Sequence, residues 1–104
     1  MILEAAMLQV KPDRMQAFEA AFAEASPLIA STEGYLSHEL QRCLEVEGKY
    51  LLLVRWQTLT AHTVNFRQSP QFQEWKALLH HFYDPAPTVE HFETAFVNDP
   101  VSQT

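Results

Sequence analysis

Residues 50–57, YLLLVRWQ, place apolar side chains on both alternating faces, with Tyr50, Leu52, Val54 and Trp56 on one side and Leu51 and Leu53 on the other. A strand apolar on both sides belongs in a sheet that is covered on both faces. Residues 2–10 carry the same signature: Ile2, Ala6, Leu8 and Val10 point one way, Leu3, Ala5 and Met7 the other. A chain of 104 residues makes one domain and buries roughly two thirds of the surface its unfolded form exposes. Two doubly apolar strands in so short a chain ask for more cover than the chain itself supplies.

The remaining pattern supplies cover for one face. After Lys11 and Pro12, Asp13 is the expected N-cap of a helix, with Gln16 completing a capping box. Met15, Phe18, Phe22, Ala25 and Ile29 recur at helical spacing, and the helix is expected to end near Ser31 and Thr32, before Gly34. A second strand spans 35–44, with Leu36, His38, Leu40, Arg42 and Leu44 on one face, and Glu47-Gly48 marks the hairpin into 50–57. Residues 58–83 read as two short helices broken at Ser69-Pro70, where Ser69 caps the second helix and Pro70 takes its first position. Asp84-Pro85-Ala86-Pro87 is a stiff connector, and 89–96 is the last strand, with Val89, His91, Glu93 and Ala95 on one face. Residues 1–97 thus form a single domain, and 98–104 a loose polar tail.

Strand, helix, strand, strand, helices, strand is the split β-α-β order of a ferredoxin-like α+β fold with a four-stranded antiparallel sheet. The helices cover one sheet face. A homodimer packing sheet against sheet covers the other.

The net charge of −6 and the lack of any Lys/Arg run argue against nucleic acid and against anionic membranes. Cys43 is the single cysteine, so no intrachain disulfide forms, and it is read as structural. The opening residues lack a basic start and a long apolar run, and no stretch reaches a membrane span, so a cytoplasmic protein is expected.

The element order, the strand ending in Trp56 and the helix pair NFRQSPQFQEW resemble the antibiotic biosynthesis monooxygenase domain family of small dimeric α+β barrels, over residues 2–96. The resemblance implies a cavity in each subunit between the sheet and the broken helix. It implies activities that range from cofactor-free oxygenation of quinols and polyketide phenols to haem degradation. Trp56 matches the family's strand-end Trp, whereas Phe66 stands where many members have a His, with His62 one turn earlier. A haem-degrading member has an Asn on the first strand, which this chain lacks. Its axial His falls near Lys76, with His80 and His81 about one turn beyond that position.

Within 58–83, His62 is the candidate catalytic base, because a histidine titrates near neutrality and can take a phenolic proton. The alternative for it is a hydrogen-bonded core histidine. Asn65 and Arg67 are candidate polar groups to hold a developing anion. Trp56, Phe66, Phe72, Trp75 and His80 are candidate substrate-binding walls for a flat aromatic. No histidine has metal-ligand spacing, although His38, His62, His91 and Glu39 or Glu93 form a site if the fold brings them together.

The expectation is therefore a monooxygenase with no cofactor and no metal, acting as a homodimer on a small phenolic or quinol-type aromatic and O2. The alternatives are a non-catalytic dimer that binds a small aromatic ligand, and a haem-binding or haem-degrading protein.

Overall fold

A computed structural model describes residues 1–100; the end of the expected tail, 101–104, lies outside the described residues. The strands are β1 (Ile2–Gln9), β2 (Tyr35–Arg42), β3 (Lys49–Trp56) and β4 (Thr88–Glu93), with helices α1 (Met15–Ala30) and α2 (Pro70–Leu79). A π-helical turn, Ala61–Phe66, precedes α2. The strands form one open antiparallel sheet in the order β2-β3-β1-β4, which is the ferredoxin-like α+β arrangement.

Alternation decides which residues enter the core. The register sets Ala6 beside Leu52 and Leu8 beside Tyr50, so the even-numbered stripes of β1 and β3 face the helices together. Ala6, Leu8, Val10, Tyr50, Leu52, Val54 and Trp56 are buried there against Phe18, Phe22, Ala25 and Ile29 of α1. The odd-numbered side of the sheet has no cover among the described residues. Leu3, Ala5, Leu51 and Leu53 are half-buried on it, and Met7 and Phe92 are exposed at 40% and 49%.

Four local expectations are corrected. Asp13 does not cap α1, because Pro12–Arg14 form a 3-10 turn, Arg14 takes the capping position, and no side chain bonds the free N–H groups. Leu36 leaves the inner face through a bulge between Tyr35 and Ser37, which turns Tyr35 inward beside Trp56 and leaves Leu36 exposed. The second strand ends at Arg42, and Leu44 lies beyond it in the hairpin, 91% exposed. The last strand ends at Glu93, so Ala95 and Phe96 belong to no strand. Gly48 closes the hairpin at φ 81°, and its carbonyl accepts from Val10 N at 2.7 Å.

The expected break in 58–83 is present. Ser69 Oγ accepts from Phe72 N at 3.2 Å, and Pro70 opens α2. The segment before the break is wound as a π-turn, whose sign is the bond from Arg67 N to His62 O at 3.1 Å, five residues back.

Candidate active site

Glu4 sits on the inner stripe of β1, between Ile2 and Ala6, where every other position is apolar. The register places it opposite Val54 on β3 and His91 on β4. The residue is 5% exposed, so its carboxylate must find partners inside. Trp56, one step past Val54 on the same face of β3, donates its Nε1–H to Glu4 Oε1 at 3.0 Å.

The π-turn supplies the second partner. His62 is buried, with Nε2 at 3.4 Å from the same Glu4 oxygen and Nδ1 at 2.8 Å from His91 Nε2. Two contacts hold this turn against the bend between α1 and β2. Gly34, at φ 91°, leaves no side chain where an added Cβ would stand 2.5 Å from Ala61 Cβ. Asn65 donates its amide to Glu33 O at 3.1 Å.

A cavity of about 340 Å³ opens beside these groups, between the inner sheet face and α2. Glu4, His62 and Arg67 form its polar end, Phe66, Phe72 and Trp75 its aromatic wall, and His80 and Tyr83 line it further along. Leu52, Ile29, Ala6 and Leu8 complete the apolar floor.

The structure sorts the candidate residues. His62, Arg67, Phe66, Phe72, Trp75 and His80 line the cavity together. Trp56 does not: it is fully buried behind the cavity residues, stacked on the His62 ring, packed against Phe66 and hydrogen-bonded to Glu4. Asn65 does not line the cavity either, since its side chain is exposed and ties the turn to Glu33. His62 and His91 meet, whereas His38 bonds Ser26 and Tyr35 elsewhere. Glu39 pairs with Arg55, and Glu93 lies opposite Ile2 near the sheet end. Among the described residues, no group of three His, Cys, Asp or Glu side chains is arranged to hold a metal ion.

Charge is scarce at the polar end, and burial sets its direction. Desolvation raises the Glu4 pKa above 4.5, against the Trp56 hydrogen bond and the Arg67 charge, which lower it. His62 is lowered to about 3, by desolvation first and then by the Arg67 and His91 charges. At neutral pH His62 is therefore an uncharged imidazole. Its contact with Glu4, at 3.4 Å, is one between a neutral ring and a carboxyl rather than an ion pair. His91 is lowered by burial and then by Arg67, and His80 by burial and then by Lys76.

Sequence reasoning missed Glu4 as a site residue, although an acid on an otherwise apolar stripe was its signal. It missed Tyr83 on the cavity wall as well.

An open four-stranded sheet with a partly aromatic cavity under its helices defines a small ferredoxin-like α+β domain. Residues 1–78 match the sequence model of the antibiotic biosynthesis monooxygenase family, and the chain belongs to that family. It is 56% identical to the uncharacterized protein YczJ of Bacillus subtilis (strain 168) over 93 residues, 89% of this chain and 98% of the relative. A crystal structure of a putative antibiotic biosynthesis monooxygenase from Bordetella bronchiseptica is 38% identical, covers 91% of this chain and 97% of its own, and superposes with a TM-score of 0.87. SnoaB, a cofactor-independent oxygenase from Streptomyces nogalater, shares the fold at 18% identity, with a TM-score of 0.78 over 92% of this chain and 94% of its own.

Proposed function

We propose that this protein is a monooxygenase that oxidises a compact phenolic or quinol-type aromatic with O2 and needs neither a metal nor an organic cofactor. The observation that carries this reading is the pairing, in one cavity, of an aromatic wall with a buried carboxyl–imidazole contact and a neighbouring cation. At about 340 Å³ the cavity is at the small end of ligand pockets, which favours ring systems of hydroquinone or naphthol size. Membership of the family and the activity of SnoaB agree with this chemistry.

In the proposed reaction the substrate ring stacks against Phe66, Phe72 and Trp75, with its acidic hydrogen toward Glu4 and His62. Loss of that proton leaves an electron-rich anion, which Arg67 stabilises from the cavity rim. The anion passes an electron to O2, and the radical pair joins to a peroxide on ring carbon. The peroxide takes back one proton. The O–O bond and the C–H bond of the same ring carbon break, water leaves with that hydrogen, and the oxygen still bound to carbon becomes a new carbonyl. His62 alone is a weak acceptor with a pKa of about 3, so the proton is assigned to the Glu4–His62 pair.

We place the partner of the uncovered sheet face in a second copy of the chain. Leu3, Ala5, Leu51, Leu53 and Met7 make that face apolar, and packing two such faces together removes them from water.

Dissolved-oxygen uptake against hydroquinones, anthrones and catechols tests the activity, with Glu4→Gln and His62→Ala alongside. Uptake above the uncatalysed rate, lost in both variants, supports the reading. Tight binding of an aromatic without uptake indicates a binding module, and a Soret shift on adding hemin indicates a haem protein.

A further inference from the structure

We propose that Glu4 is the group that takes the substrate proton and that His62 and His91 form a relay carrying it from the cavity to solvent. The chain of contacts is continuous. Glu4 Oε1 lies 3.4 Å from His62 Nε2, and His62 Nδ1 lies 2.8 Å from His91 Nε2. Its inner end lines the cavity. Its outer end, His91, is half-buried on edge strand β4, and His91 Nδ1 meets no hydrogen-bond partner among the described residues. Nε2 of His62 faces Glu4 and Nδ1 bonds His91, so the ring is placed to receive a proton at one nitrogen and release one at the other.

The hop balances without any change of charge on His62. With Glu4 protonated, its hydroxyl donates to His62 Nε2, and His62 Nδ1–H donates to His91 Nε2. The carboxyl O–H and the Nδ1–H break while Nε2–H bonds form on His62 and His91, and no electrons leave the system. His91, now doubly protonated, gives up its Nδ1 proton to water. Burial raises Glu4 and lowers His91, so it moves the proton affinities of the two ends of the path in opposite directions.

The other groups facing Glu4 do not break the path. Trp56 Nε1 from β3 fixes Oε1, Arg67 supplies positive charge from beyond the π-turn, and His80 and Tyr83 line other parts of the cavity.

The tautomer of His62 is the readout, because it must change when Glu4 changes charge. The protein labelled with 15N and 13C is titrated by NMR from acid to alkali, following the His62 and His91 ring nitrogens and the Glu4 carboxyl carbon. His62 is expected to pass from Nδ1–H to Nε2–H at the pH where Glu4 loses its proton. Glu4→Gln abolishes this step, and His91→Phe moves it to lower pH by stranding the buried Nδ1–H. A His62 that keeps one tautomer while Glu4 takes its proton overturns the relay. So does a switch that survives Glu4→Gln, or a midpoint that ignores His91→Phe. This measurement needs no substrate, so it stands or falls apart from the oxygenase reading on which Glu4's role in turnover rests. Where turnover is measured, Glu4→Gln lowers kcat by about 10²-fold or more with little change in KM. An unchanged kcat removes Glu4 from the reaction.

Discussion

The imidazole of His62 lies over the indole of Trp56, with ring centroids 5.2 Å apart and planes 17° apart, and both rings aim a nitrogen at the same oxygen of Glu4. The indole N–H can only donate. The imidazole can donate or accept, and it is therefore the variable half of the pair. Trp56 is a fixed support that holds the carboxyl in place while the protonation of its neighbour changes.

Trp56→Phe keeps most of the ring volume and removes that support. The buried Glu4 loses its donor, so stability is expected to fall by about 1–3 kcal/mol in urea unfolding. The Glu4 pKa is expected to rise further, because the Trp56 bond lowers it. A carboxyl 13C titration that stays in place in the variant contradicts this account.

The neutral His62 makes the fold sensitive to acid. Its folded pKa of about 3 lies below the unfolded value of 6.5, so its contribution is fully present above pH 6.5 and is lost as pH falls toward 3. One such group gives a slope of up to about 1.4 kcal/mol per pH unit. Glu4, shifted the other way, favours the folded state in acid and loses that contribution as pH rises through its raised pKa. Urea midpoints across this range should therefore fall less steeply for His62→Gln than for the parent. Parallel curves would show that His62 carries no such linkage.

Much of this architecture was legible in the chain, and the reasons are local. The alternation in 2–10 and 50–57 dictates two buried stripes, and Phe18, Phe22, Ala25 and Ile29 can share one face only in a helix. Ser69-Pro70 announces a helix start by its chemistry alone. The site was harder to read. Glu4 and His91 become neighbours only through strand register, which neither strand encodes by itself. The bulge that expels Leu36 and the π-turn each add one residue to a regular pattern, and single insertions do not show in periodicity.

Gly34 couples the bend after α1 to the site. In Gly34→Ala the new Cβ meets Ala61 at 2.5 Å from a backbone already at φ 91°. Strain at such a position costs about 1–3 kcal/mol, and the displaced π-turn should shift the His62 resonances. A variant with parental stability and an unchanged His62 spectrum would mean that the two segments are not tightly coupled.

The proposed second copy is tested at the centre of the outer sheet face. Leu53, paired with Ala5 and Glu39, becomes charged in Leu53→Glu, which places two acids side by side there. Sedimentation should give the mass of two chains for the parent and of one for the variant, with circular dichroism unchanged. A parent that sediments as a single chain removes the homodimer from the proposal.

The π-turn makes the site depend on counting as well as on chemistry. His62, Phe66 and Arg67 reach the same cavity because the backbone bond skips to the fifth residue. Deleting Thr63 or Val64 would let the segment relax to ordinary winding with every cavity residue still encoded, yet it would turn His62 out of line with Glu4. A relative one residue shorter between Trp56 and Ser69 could therefore keep the fold and the aromatic wall while lacking the proton path altogether, a loss that comparing residue identities alone would miss.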